Sequence, residues 1–320
     1  MRSGDTAGMS WFSTRPFARS FARSFGTPSL GLALQGGGAH GAFTWGVLDA
    51  LLEDGRFPIT AISGTSAGAM NALALAHGLL RGGAEAARES LADFWCAVGT
   101  QLPFETLMVG PTDSPGLAPG LRALMHWTRL LSPYQLNPLG LNPLRDVLEA
   151  QIDFKRLRSS RAPRLFIAAT HASTGRLRLF GNADLSVEAA LASACLPTVH
   201  HAVMIDGEPY WDGGYSANPA LFPLVRCGVA DLLIVSLSPL DYGEVPRSAE
   251  EIRARALEFT FNASFLREAT LLAEACEEAR GPVIAFGLGA GRLERRLRVL
   301  RTHLIDAHDD LGALSAETRL

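Results

Sequence analysis

Apolar positions in this chain come in short continuous runs separated by glycine-rich breaks and amphipathic stretches, the pattern of buried strands alternating with helices. Residues 30–34 (LGLAL) read as a first strand, residues 42–53 as a helix, residues 59–63 as a second strand and residues 67–80 as a second helix. A βαβα start of this kind predicts an α/β fold with a mostly parallel sheet. Further strands are expected at 165–170, 177–180, 232–237 and 283–286, and helices at 84–98, 186–194 and 249–279. The last of these begins with acidic residues and ends at Arg280 before Gly281-Pro282. Residues 100–145 break the rhythm, with Pro103, Pro111, Pro115, Pro119, Pro133, Pro138 and Pro143 set among Leu, Met, Phe and Trp. Such an apolar insert reads either as a wall or lid over a site or as a surface excursion packed on the core.

Chemistry enters where the runs break. Gly64-Thr65-Ser66-Ala67-Gly68 joins the second strand to the second helix and has the form of a nucleophile elbow. Glycines at both ends would relieve clashes around a serine held in a sharp turn, and the helix start at Ala67 would aim free N–H groups at its oxygen. After the first strand come Gly36, Gly37 and Gly38, followed by Ala39, His40 and Gly41. Three adjacent glycines let several N–H groups converge in an anion-binding nest, for an oxyanion or for a phosphate. The dinucleotide reading is weaker, because no acidic residue ends the second strand and no G-K-[ST] follows the loop. Downstream, Tyr210-Trp211-Asp212-Gly213-Gly214 reads as a carboxylate on a tight loop, with Asn218-Pro219 shortly after.

In this order, G-G-G-x-x-G, G-x-S-x-G and D-G-G make residues 29–225 resemble the patatin-like phospholipases. The resemblance implies a three-layer α/β/α sandwich and a Ser-Asp dyad, with Ser66 as nucleophile, Asp212 as base and Gly36, Gly37 and Gly38 as oxyanion hole. Gly41, Gly64, Gly68, Gly213 and Gly214 would shape those loops. The family's glycine motif usually carries Arg or Lys where this chain has His40, so charge assistance from that position would fade as pH rises. The plainer reading is that His40 caps or packs the helix start. The resemblance further implies a lipid or phospholipid substrate, deacylated through an acyl-serine intermediate without cofactor or metal. An acyltransferase, or a polyester or thioester hydrolase, would use the same dyad. An aspartate of ordinary pKa, about 4, is a weak base, so the dyad requires Asp212 to be partly desolvated.

Chain order separates this arrangement from an α/β-hydrolase triad, in which a histidine follows the acid. After Asp212 come only His303 and His308, in a polar stretch that reads as helix and tail; His200 and His201 precede it.

Composition narrows the picture further. The chain has 320 residues and a net charge of −3, which fits one enzyme domain over 29–320 and gives no reason to expect nucleic acid as partner. All basic residues except Lys155 are arginine. Cys96, Cys195, Cys227 and Cys276 are widely spaced, as expected of reduced thiols in a cytoplasmic protein. No run is apolar over the ~18 residues that a membrane span needs. Residues 1–28 form a separate leader, in which Trp11, Phe12, Phe17, Phe21 and Phe25 interleave with Arg15, Arg19 and Arg23. A helix there would suit peripheral contact with an anionic membrane; a disordered leader is the plainer reading. Residues 248–320 are expected to be mainly helical, and the sequence does not specify an oligomeric state.

Overall fold

The computed structural model describes residues 29–101, 131–159, 161–281 and 291–307, with the backbone of a two-strand antiparallel ribbon at Met108–Val109 and Gly116–Leu117. The aromatic leader, most of the proline-rich insert, the strand expected at 283–286 and His308 lie outside the described residues.

Eight strands form the central sheet: β1 Leu30–Leu34, β2 Ile59–Gly64, β3 Arg164–His171, β4 Leu177–Gly181, β5 Val203–Ile205, β6 Glu208–Asp212, β7 Asp231–Ser236 and β8 Arg301–Asp306. Their order is β8-β7-β1-β2-β3-β6-β5, with β4 also pairing β3. The run from β8 to β3 is parallel, and β4, β5 and β6 are joined by antiparallel pairs. Every residue of β1 and β7 is buried, the condition of a parallel strand covered on both faces.

The helices are α1 Gly41–Asp54, α2 Ala67–Gln101, α3 Pro143–Gln151, α4 Val187–Ser193, α5 Phe222–Cys227, α6 Ala249–Arg280 and α7 Arg292–Val299, with single turns at Pro133–Leu136 and Phe154–Leu157. The two helices expected at 67–80 and 84–98 are the halves of α2, broken where Gly83 takes φ +78°. Side chains alternate between two cores. Leu30, Leu32 and Leu34 of β1 pack with α1 to α4, whereas Ala33 of β1 and Leu232 and Ile234 of β7 pack with α5, α6 and α7. The result is a sheet between two helical layers, an α/β/α sandwich.

Two elements depart from expectation. The stretch carrying His303 is strand β8 rather than helix and tail: it pairs in parallel with β7 through six residues. Asp212 does not sit within a loop but ends strand β6. The registers explain its position. β2 and β4 both pair Phe166 and Ile167, so they lie on opposite edges of β3; β4 and β6 both pair Ala169 and Thr170, so they too lie on opposite edges. Strands β2 and β6 therefore share one edge and run toward each other. Gly64 is opposite Ile167 and Asp212 opposite Ala169, two residues apart on β3, or about 7 Å at ~3.3 Å per residue.

Candidate active site

The elbow follows directly from β2. Ser66 has φ +53°, one of two non-glycine residues with positive φ among the described residues. That left-handed conformation costs about 1 kcal/mol or more and is held by bonds of the serine and of the residue before it. The Ser66 N–H donates to Ser193 Oγ at 3.0 Å, and Thr65 Oγ1 donates to the Ala217 carbonyl at 2.8 Å. Close packing dictates the flanking glycines. A Cβ on Gly64 would lie 2.5 Å from the Gly68 carbonyl oxygen, and one on Gly68 would lie 2.1 Å from that of Leu34.

The glycine loop leaves β1 and lies against the elbow. A Cβ on Gly36 would stand 2.8 Å from both Ser66 Cβ and the Thr65 carbonyl oxygen. Gly38, at φ +57°, opens a 3-10 turn, Gly38–His40, that leads into α1. Of the three N–H groups expected to form the oxyanion hole, that of Gly36 donates to Asn218 Oδ1 at 2.7 Å. The N–H groups of Gly37 and Gly38 make no hydrogen bond among the described residues. His40 is buried at the N-cap of α1, without a side-chain bond to that helix end. Gly41 brings the start of α1 onto the start of α2, where an added Cβ would lie 2.7 Å from Ala67 Cβ. Asn71 locks this crossing by donating to the Gly41 and Ala67 carbonyls at 2.9 and 3.2 Å. Two helix N-termini, with their positive dipole ends, thus converge beside Ser66.

Asp212 is 1% exposed. Its Oδ1 accepts from the Gly214 N–H at 2.7 Å, its carbonyl accepts from Thr170 Oγ1 at 2.8 Å, and its own N–H donates to the Cys195 carbonyl at 2.8 Å. Gly213 and Gly214 allow this packing: a Cβ on the first would meet the Ala168 carbonyl at 2.3 Å, and one on the second would meet Phe261 of α6 at 2.2 Å. Burial pushes the Asp212 carboxyl up to about 7, against the lowering effects of the Gly214 N–H and of the Ser66 hydroxyl. Oδ2 has no hydrogen-bond partner among the described residues, and the Ser66 hydroxyl is near enough to the carboxyl to favour its ionised form. The desolvated setting that a carboxylate base requires is present at this position.

His201 and His303 are engaged elsewhere. His201 stacks on Tyr134 with ring centroids 4.0 Å apart, and its Nε2 lies 3.2 Å from the Pro133 carbonyl. His200 is partly buried, which lowers its pKa. His303 Nε2 lies 3.0 Å from Asp231 Oδ1, in a buried cluster with Arg301 at the opposite end of the sheet. Among the described residues, no three His, Cys, Asp or Glu side chains are grouped to hold a metal ion, and no helix is long and apolar enough to cross a membrane.

Sequence reasoning missed Ser193, Thr65, Thr170 and Gln35 as supports of the site, and noted Asn218 without a role. Only Asn218 carried a local signal, its position shortly after the D-G-G motif. The others are common residue types whose contacts come from distant parts of the chain.

The family model described as patatin-like phospholipase matches residues 32–225. No curated protein matches the chain. Among solved structures, VipD from Legionella pneumophila is similar over 88% of this chain and 61% of its own length, at 15% identity and a TM-score of 0.40. The chain thus spans about three fifths of the length of that structure.

Proposed function

The chain belongs to the patatin-like phospholipase family, and on that premise we propose that it hydrolyses the carboxylic esters of lipids on a dyad of Ser66 and Asp212. The observation that carries the reading is the buried Asp212 carboxyl beside the strained Ser66, with its pKa raised to about 7. A base with a pKa near the working pH combines a usable ionised fraction with real proton affinity.

Ser66 Oγ attacks the ester carbonyl as its proton passes to Asp212 Oδ2. The tetrahedral oxyanion is held by the N–H groups of Gly37 and Gly38, with the α1 and α2 N-termini adding favourable potential. Collapse of the intermediate breaks the C–O bond, and the departing alcohol takes the proton from Asp212. Water then attacks the acyl-Ser66 carbonyl, giving its proton to Asp212. Release of the carboxylic acid returns that proton to Ser66 Oγ.

A screen of p-nitrophenyl esters and defined phospholipids, with Ser66→Ala as control, tests the reading. Ester turnover and fluorophosphonate labelling should both vanish in Ser66→Ala while the circular dichroism spectrum is unchanged. Labelling retained at another serine would overturn it.

A further inference from the structure

We infer that Asn218 is a positioning residue for the oxyanion-binding loop, an inference that rests on the hydrolytic reading of Ser66 above. Its carboxamide pairs with both polar groups of one glycine. Oδ1 accepts from the Gly36 N–H at 2.7 Å, and Nδ2 donates to the Gly36 carbonyl at 3.4 Å. The orientation is fixed by chemistry, since a backbone N–H can only donate and the atom facing it must be the amide oxygen. Gly36 is the residue on which a Cβ would stand 2.8 Å from Ser66 Cβ, and the two following N–H groups are those left to meet an oxyanion. Pinning Gly36 therefore sets where those donors stand relative to the serine.

The clamp is itself held. Asn218 is 2% exposed and Gln35 and Asn262 are fully buried. Gln35 Nε2 donates to the Asn218 carbonyl at 3.4 Å and to Asn262 Oδ1, on α6, at 3.1 Å. Gln35 Oε1 accepts from Ser236 Oγ and from the Ser238 N–H at 3.1 and 2.8 Å, at the end of β7. On the other side of Asn218, the Ala217 carbonyl accepts from Thr65, the neighbour of Ser66. One segment, Ala217-Asn218, thus ties the elbow to the glycine loop. A buried polar chain of this kind, with each member partnered, is rigid. Rigidity is what preorganised oxyanion donors require.

The role predicts a loss confined to the transition state. In Asn218→Ala, kcat for a soluble p-nitrophenyl ester should fall at least about tenfold with KM within about threefold of wild type. A trifluoromethyl ketone, which forms a tetrahedral adduct on the serine, should weaken by the same factor as kcat. Asn218→Asp keeps the shape and the acceptor for the Gly36 N–H but loses the donor to the Gly36 carbonyl. It should show the same pattern, and it decides the matter if the alanine variant does not fold. A folded variant of either kind with kcat within twofold of wild type, or with the loss carried by KM and an unchanged ketone affinity, overturns the inference while leaving the hydrolase reading intact. Absence of Ser66-dependent turnover in the wild-type protein overturns both.

Discussion

Gly64 and Asp212 end two strands that meet head to head along one edge of β3, opposite Ile167 and Ala169. The antiparallel direction of β6 is what brings its carboxyl end there; a parallel strand on the same track would begin at that place and lead away from the serine. An elbow after β2 and an acid at the end of β6 then face each other across a gap of two residues. Packing of Gly213 onto the Ala168 carbonyl closes that gap.

The first prediction concerns pH. Asp212 must be ionised to accept the Ser66 proton, and burial holds its carboxyl up to about 7. For a soluble ester, kcat/KM should rise with pH through a single ionisation near neutrality and level off above it, reporting the free enzyme. A profile flat from pH 5 to 8 would be incompatible with Asp212 as base; roughly this range spans the expected midpoint.

Asp212→Asn should abolish turnover yet stabilise the fold at alkaline pH. The unfolded carboxyl titrates near 3.8 and the folded one near 7, so folding takes up a proton between them and stability falls as pH rises through that window. Above it, the native state carries a buried charge that an amide lacks. The variant should gain on the order of a few kcal/mol at pH 8, seen as a higher Tm, and little at about pH 3, where both carboxyls mostly hold their proton. An unchanged difference in Tm between the two pH values would contradict the raised pKa.

Gly36→Ala tests close approach rather than hydrogen bonding. The added methyl would sit 2.8 Å from Ser66 Cβ and from the Thr65 carbonyl, so the loop or the serine must shift. A displacement of this size should cost about 100-fold in kcat. Fluorophosphonate labelling rates and far-UV circular dichroism would separate a misplaced serine from an unfolded chain. Near-normal labelling would show that the contact is not restrictive.

Single changes of His200, His201 and His303 to Gln should each keep activity within about tenfold, since loss of a general base costs 10²-fold or more. For His303→Gln the cost should appear in Tm instead. Asp231, whose carboxyl is held low by His303 and Arg301 against the cost of burial, loses a partner. Activity lost in any of the three as fully as in Asp212→Asn, at unchanged Tm, would point to a histidine base.

Local rules made part of this molecule readable. Strands β1 and β2, both α1 and the start of α2, and the glycine loop follow from apolar runs that end in glycine, because each is decided by neighbours in sequence. Strand β6 was not legible: Glu208 and Pro209 obscure its alternation, and its pairing with β3 is long-range. Polar residues likewise disguised β8, in which the buried His303 pairs with Asp231. The raised pKa of Asp212 comes from burial, which the D-G-G motif alone does not reveal. The loss of the Gly36 N–H to Asn218 was equally hidden, since a glycine triplet looks the same whichever of its donors is occupied.

The position of β1 has a consequence for any shortened form of the protein. β1 lies between β2 and β7, and β7 begins at Asp231, beyond the 32–225 span of the family match. A fragment ending at residue 225 would keep every motif residue and yet leave one side of Leu30–Leu34 without its ladder, along with the bond from Gln35 N–H to the Val235 carbonyl. Five apolar residues with unpaired backbone groups are a template for self-association. Such a fragment should precipitate or form aggregates, so the stretch of sequence that identifies the family is shorter than the smallest piece of chain able to stay in solution.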